Sequence, residues 1–329
     1  MVERLNIIFG AAGVGNFPNS GDEATLQVFQ LLRNNRVKYL DSSRLYGKSE
    51  ETLGRLKAAS EHGFKIDTKW WGAFFDPTST SKERIIADAK DSLAKLGVSK
   101  VNGFYLHSPN PSNETEDTLI AINEVYEMGA FEHFGLSNFS PAQVKHVYDT
   151  CKAKGLVLPT VYEGLYSPVN RKQEEELLPL LRKYDIAFIG YSPLAGGFLT
   201  KSRSQVVNGE GRFNKSQFLG AYFEIYNNEP YLEANEEWGR ISNEEGISRA
   251  ALGYRWVCYH SALKAELGDG MIIGGSILQL EDTFKALDQG PLSQKAAQRI
   301  EDLWVKLQPF AKYANNIEAQ TMPSRPLIF

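Results

Sequence analysis

Eight times along this chain a short apolar run is followed by a longer segment whose apolar residues recur at helical spacing, and no other feature restricts the fold as much. The runs are Leu5 to Phe9, Arg36 to Leu40, Phe64 to Lys69, Val101 to Leu106, Phe131 to Leu136, Thr160 to Tyr162, Ile186 to Gly190 and Met271 to Ile273. Between them the spacing predicts helices over about 23–33, 49–59, 81–96, 116–128, 141–154, 173–184, 231–245, 248–259 and 279–287, with a last one over about 293–310. Parallel strands need a crossover long enough to hold a helix, so strict alternation implies a parallel sheet. Eight units predict an α/β protein whose sheet closes into a (β/α)8 TIM barrel, with a C-terminal helix and tail outside it.

An open doubly wound sheet is the competing architecture, and it usually carries a nucleotide signature after its first strand. Here that loop is Gly10-Ala-Ala-Gly-Val-Gly-Asn-Phe17, which lacks the Gly-x-Gly-x-x-Gly spacing and does not open directly into a helix. No stretch of the 329 residues is rich enough in Pro, Ser or Gly to read as a linker, so residues 1–329 are expected to form one barrel domain. The segment from Tyr191 to about Pro230 is too long for a connector and is expected to be a functional loop.

In a parallel barrel the carboxyl ends of the strands and the loops after them face the active-site mouth. Asp41 sits where the second strand stops, with Tyr46 in the loop beyond; Lys69 closes the third strand and His107 follows the fourth. A free tyrosine titrates near pH 10, so a proton-donating tyrosine needs a cation beside it, which Lys69 on the next strand end can supply. Taken singly, Tyr46 is as readily a packed loop aromatic, Lys69 a solvated charge and His107 a hydrogen-bonded structural histidine. Their shared position at successive strand ends is what makes them candidates.

Composition narrows the partners. The formal net charge is −4 with both signs mixed along the chain, so there is no basic stripe for nucleic acid or for an anionic membrane. A small molecule is the expected partner. The two cysteines, Cys151 and Cys258, fall in helical patterns far apart, which suits a reducing compartment with two free thiols and leaves a disulfide open. The first apolar run is too short for a signal segment or a membrane span, so a cytoplasmic location is expected.

With these residues placed, the chain resembles the aldo-keto reductases. The likeness is carried by Asp41 to Gly54, Thr68-Lys69, Tyr105-Leu-His-Ser-Pro109, Gly135-Leu-Ser-Asn-Phe139 and Tyr191-Ser-Pro-Leu-Ala-Gly-Gly197, in the family's order and at its spacings over nearly the whole chain. Pro159-Thr-Val-Tyr162, the Leu-Ala-Gly-Gly turn, Gly211-Arg-Phe213 and Gly290-Pro-Leu292 make the aflatoxin-aldehyde-reductase branch the one it most resembles. The resemblance implies hydride transfer between a nicotinamide cofactor and a carbonyl. Tyr46 would be the acid, Lys69 would stabilise the tyrosinate, Asp41 would hold Lys69, and His107 would orient the carbonyl oxygen.

It also implies that Ser137 and Asn138 bind the carboxamide, with Glu163 beside it where the family usually has glutamine. Tyr191 would stack on the nicotinamide ring, and Ser192, Pro193, Leu194 and Gly196 would line the pyrophosphate. At the adenosine end the matching residues are Gly274, Ser276, Gln279 and Asp282, in a segment one residue short of the family's and without a basic residue, while Asn110 replaces an acidic residue after the histidine-proline turn. Arg212 on the long loop offers a forked donor for a 2′-phosphate, and the family resemblance implies NADPH as the cofactor, with NADH left open. Phe17, Trp70, Trp71, Tyr222 and Tyr226 are the expected walls of an apolar pocket for an aromatic or bulky carbonyl, although the last group reads equally as aromatics packed on the barrel.

Two other activities fit parts of the pattern. A cofactor-binding regulatory subunit of a membrane channel shares the family's fold, and a barrel lyase could use Lys69 as a Schiff-base amine, which leaves Tyr46, Ser137 and Asn138 unexplained. The branch it resembles tends to dimerise, which makes a homodimer an expectation without a self-association pattern to support it.

Overall fold

In the computed structural model, which describes residues 4–16, 21–71, 81–109, 116–216 and 220–311, eight parallel strands close into a barrel in sequence order. They are β1 (Asn6–Gly10), β2 (Tyr39–Asp41), β3 (Lys65–Trp70), β4 (Val101–Leu106), β5 (Phe131–Ser137), β6 (Pro159–Leu165), β7 (Ala187–Tyr191) and β8 (Gly270–Ile273). The ring is completed by β8 lying beside β1, from Asn6 opposite Gly270 to Phe9 opposite Ile273.

Twelve helices are described. Those following strands are α1 (Asp22–Asn34), α2 (Ser49–Arg55), α3 (Lys82–Leu96), α4 (Glu116–Glu127), α5 (Pro141–Lys154) and α6 (Leu177–Lys183). Two short pieces, α7 (Arg203–Val207) and α8 (Ala221–Tyr226), lie in the long segment after β7 and precede α9 (Glu229–Glu245) and α10 (Arg249–Tyr259); α11 (Ile277–Asp288) and α12 (Gln294–Leu307) follow β8. None of them is long and apolar enough to cross a membrane.

The period-two alternation of a strand sorts the wall into two faces, and β3 shows it through its partners. Thr68 donates to Glu50 on α2 at 2.5 Å and Trp70 donates to Asp88 on α3 at 3.3 Å, so this face looks out at the helices. Asp67 and Lys69, on the other face, look into the barrel. Apolar outward residues such as Leu40, Ile66, Phe104, Leu136, Phe188 and Met271 are buried beneath the helices in one continuous core. Burying side chains of this size contributes about 1.5–3 kcal/mol each, which is why the outer shell rather than the barrel interior carries most of the apolar stabilisation.

The interior is polar towards the mouth, and two glycines make room for it. A Cβ at Gly135 would lie 2.2 Å from the Tyr105 ring, and one at Gly103 would lie 2.8 Å from both Tyr105 and Asp67. Small residues on β4 and β5 therefore let a tyrosine and an aspartate occupy the space inside.

Several boundaries differ from the sequence reading. The strand expected over Arg36 to Leu40 is β2, later and shorter, because Arg36 takes a left-handed turn with φ 60° before the sheet begins. The strand expected to stop at Tyr162 continues through Glu163 to Leu165, held by β7 in a register that pairs Glu163 with Ile189. The helix expected from Gln173 starts at Leu177; Gln173 belongs to a separate turn, Lys172–Glu174, whose Glu174 is held by Arg171. Cys151 on α5 and Cys258 on α10 are both buried and free.

Candidate active site

Lys69 is the centre of the mouth. Its side chain is wholly buried, and its ammonium donates to the Asp41 carboxylate and, at 3.1 Å, to the carbonyl of Ser42. Glu163 on β6 approaches the same nitrogen from across the barrel at 3.3 Å. The nitrogen also lies 5.1 Å from the centre of the Tyr46 ring and 5.8 Å from that of Tyr105. Tyr46 in turn meets His107 edge to face, at 5.7 Å and 85°. The structure thus brings Asp41, Tyr46, Lys69 and His107 together.

The loop that presents Tyr46 is tied down on three sides. Asn16 donates to the Tyr46 carbonyl at 2.8 Å and accepts from the Lys48 amide at 3.0 Å, joining the loop to the one after β1. Ser43 shares a 2.9 Å hydrogen bond with His107 Nδ1 and accepts from the Leu45 amide at 3.1 Å. Arg44 reaches α3, where it pairs with Asp88 at 3.1 Å and with Asp91 at 2.7 Å and donates to the Asp88 carbonyl. The Arg44–Asp88 pair is nearly buried, and removing the guanidinium leaves Asp88 with the more exposed Arg84, at 3.1 Å, as its remaining cation and strips the Asp88 carbonyl and Asp91 of their donor. Arg44→Ala is expected to cost about 2–4 kcal/mol of stability and to loosen Tyr46. Urea unfolding checks the first effect; the second appears as a fall in kcat with KM nearly unchanged.

The polar cluster holds more acid than base. Asp67, which faces inward two residues before Lys69, accepts from Asn102 at 2.7 Å, and burial pushes its carboxyl up to about 7. Burial, reinforced by the charge of Asp41 and opposed by Lys69, pushes Glu163 up to about 8. Asp41 is also raised by burial against the pull of Lys69. Burial by itself disfavours the Lys69 ammonium, yet Asp41, Glu163 and Tyr46 outweigh it and hold the group protonated. Burial and the nearby Lys69 charge keep His107 neutral, well below its ordinary range.

These shifts imply a stability that declines as the medium becomes alkaline. Unfolded, Asp67 and Glu163 ionise near their ordinary values of 3.8 and 4.5; folded, they keep their protons to about 7 and about 8. Their contribution is full below the unfolded values and is lost as pH rises through the folded ones, on the order of 2–4 kcal/mol per carboxyl. Urea unfolding from pH 5 to 9 is expected to show the decline, flattened in Asp67→Asn and in Glu163→Gln. A decline of the same size in both variants would show that other groups cause it.

A second group of expected residues gathers beside the first. Asn138, at the end of β5 with φ 65°, donates to the His107 carbonyl at 3.0 Å and to Ser137 at 3.2 Å, and accepts from the Tyr191 hydroxyl at 2.7 Å. Ser192 and Ala195 also take left-handed conformations, with φ 54° and 52°, which side chains adopt at a cost and which concentrate at functional sites. Pro193 is buried, and the half-buried Leu194 side chain packs against Gly253 on α10. Tyr222 packs over Gly196 and meets Phe213 at 6.1 Å.

The adenosine-end candidates have local roles. Ser276 and Gln279 form a reciprocal capping box at the start of α11, each side chain bonded to the other's amide, with Gly274 just before it. Asp282 is exposed on α11 beside Lys285, and Arg212 lies in the turn Gly211–Phe213.

Two pocket candidates are corrected by the structure. Trp70 is buried behind the wall against Asp88, because adjacent strand residues face opposite ways and Lys69 takes the inside. Tyr226 is buried within the long loop, stacked on Phe198 at 4.8 Å and edge-on to Tyr231 at 5.3 Å. Trp71 is half-buried, with the Arg44 guanidinium 5.7 Å from its ring centre. Phe17 and Asn110 lie outside the described residues. Asp67, Ser43, Arg44 and Asn16 are the residues that sequence reasoning missed. Only Asp67 carried a signal, sharing the inward face of β3 with Lys69.

The chain is similar to known proteins over most of its length. The model of the aldo/keto reductase family matches residues 6–305. The oxidoreductase sirO of Leptosphaeria maculans is 36% identical over 310 residues, covering 91% of this chain and 93% of its own. Aflatoxin B1 aldehyde reductase member 4 of Homo sapiens is 35% identical over 285 residues, 80% of this chain and 84% of its own. The aldo-keto reductase pigE of Monascus ruber is 29% identical over 300 residues, 87% of each.

Proposed function

The chain belongs to the aldo/keto reductase family, and from that premise we propose that it reduces an aldehyde or ketone to an alcohol with NADPH, using Tyr46 as the general acid. The observation that carries the reading is the buried contact of Lys69 with Asp41, with the Tyr46 ring 5.1 Å from the same ammonium. Members of the family use nicotinamide cofactors, generally NADPH.

The residues present fit such a group. Asn138 and Ser137 carry the donor and acceptor atoms that a carboxamide needs, and Asn138 is held in place by His107 and Tyr191. The left-handed turns at Ser192 and Ala195 suit a loop whose backbone approaches a ligand closely. Ser137, Asn138 and Tyr191 would hold the nicotinamide end, the Ser192–Gly196 backbone the pyrophosphate, and Gly274 with the first amides of α11 and Arg212 the adenosine end, where Ser276 and Gln279 shape the helix start. Hydride is what the cofactor supplies when bound.

The chain's own groups manage the proton. Tyr46 gives its phenolic proton to the carbonyl oxygen, and the Lys69 ammonium, held charged by Asp41, stabilises the tyrosinate left behind. With the Ser43 hydroxyl donating to Nδ1 of neutral His107, the ring proton would sit on the other nitrogen, the one that would orient the carbonyl oxygen. An ammonium held protonated by its buried contact with Asp41 is a poor amine nucleophile, which speaks against a Schiff-base lyase. Trp71 and Tyr222 favour an aromatic or bulky carbonyl, and the two buried free thiols suit the cytoplasm.

Titration of the purified protein with NADPH and with NADH, followed by tryptophan fluorescence, tests the reading, with a panel of aromatic aldehydes then added. Saturable NADPH binding and aldehyde-dependent loss of its absorbance are expected. Failure of both cofactors to bind would overturn it.

A further inference from the structure

Resting on the cofactor reading above, we propose that Glu163 makes the site discriminate by charge between the two forms of the nicotinamide cofactor, favouring the oxidised, cationic form once its carboxyl is ionised. The position is the first ground. Glu163 is the register partner of Ser137 on β5 and of Ile189 on β7, so it stands between the strands that end in Ser137–Asn138 and in Tyr191. Its side chain is buried, and its carboxyl lies 3.3 Å from the Lys69 ammonium.

The charge balance of the interior is the second ground. The groups facing Glu163 are Asp41 on β2, Asp67 and Lys69 on β3 and Tyr105 on β4, with Tyr46 and His107 next to Lys69. Lys69 and Asp41 neutralise one another in contact. Tyr105 is held in its neutral form by burial and by the surrounding carboxyls, and His107 is neutral as well. What remains is Glu163 and, one inward position deeper than Lys69, Asp67; both change charge between neutral and mildly alkaline pH. A ring that carries a positive charge gains from each ionised carboxyl, while a neutral ring does not. Inside a protein such an attraction is several times stronger than in water. The phosphates and ribose are common to both forms, so the ratio of their affinities isolates the ring.

The test uses the Tyr46→Phe protein, so that no phenol titrates, and measures Kd for the oxidised and reduced cofactor by tryptophan fluorescence from pH 6.5 to 9. Over that range the preference for the oxidised form is expected to rise about tenfold with Glu163 in place and by less than about threefold after Glu163→Gln. The same rise in both proteins would overturn the proposal and move the effect to Asp67. Calorimetry at pH 8 in buffers of different ionisation enthalpy supplies a second reading with Glu163 intact: the oxidised form should release more protons on binding than the reduced form, and equal release would overturn the proposal. Failure of both forms to bind would instead overturn the cofactor reading itself.

Discussion

Tyr46→Phe is expected to lower kcat for carbonyl reduction by about 10²–10⁴-fold, the usual worth of a positioned acid. Cofactor affinity should change by no more than about fivefold, the worth of one neutral hydrogen bond. The ring survives in phenylalanine, so the edge contact with His107 and the apposition to Lys69 are retained. The loop survives too, because its anchors are the Tyr46 carbonyl bonded by Asn16 and the Arg44 pairs on α3, neither of which involves the phenol. The loss should therefore fall on the chemical step and leave thermal unfolding unmoved. Steady-state kinetics beside a cofactor titration decide it; turnover within a few-fold of the parent would remove Tyr46 from the acid role.

The barrel was legible because its signal is local and repeated. Each buried parallel strand is a short apolar run, and some crossover helices carry a side-chain cap, as Ser81 does for α3 and Ser140 for α5, whose observed limits are those predicted. The ends of β2 and β6 were not legible. They depend on which residues of the neighbouring strands are free to pair, as Glu163 is with Ser137 and Ile189, and that information lies more than 20 residues away in the chain.

Asp41 and Lys69 could be placed because a residue at a strand end is fixed relative to the mouth; their pairing was implied by the family resemblance, and β2 and β3 lie side by side. The same rule turns Trp70, one residue further on, away from the mouth to Asp88. Glu163 was read as a neighbour of the carboxamide; its approach to Lys69 could not be read from a sequence in which the two are 94 positions apart. The anchoring of Arg44 on Asp88 and Asp91 was hidden for the same reason: an arginine in a loop looks solvated until the helix beneath it is known.

Lys69→Met is expected to damage both folding and turnover, and the two can be separated. Methionine fills most of the space but leaves Asp41 buried without its cation, at a cost of about 3–5 kcal/mol near neutral pH. The sign of the pH dependence follows from the acid left behind. Without Lys69 the folded-state pKa of Asp41 moves further above its unfolded value, so stability is best retained in acid and is lost as pH rises. Adding Asp41→Asn removes the unpaired charge and should recover most of the lost stability, since the two changes share one interaction. Activity should not return, because neither residue of the double variant can hold a tyrosinate at Tyr46. If the double variant regained turnover along with stability, Lys69 would be a structural partner of Asp41 only, and the source of the acidity of Tyr46 would have to be sought elsewhere in the mouth.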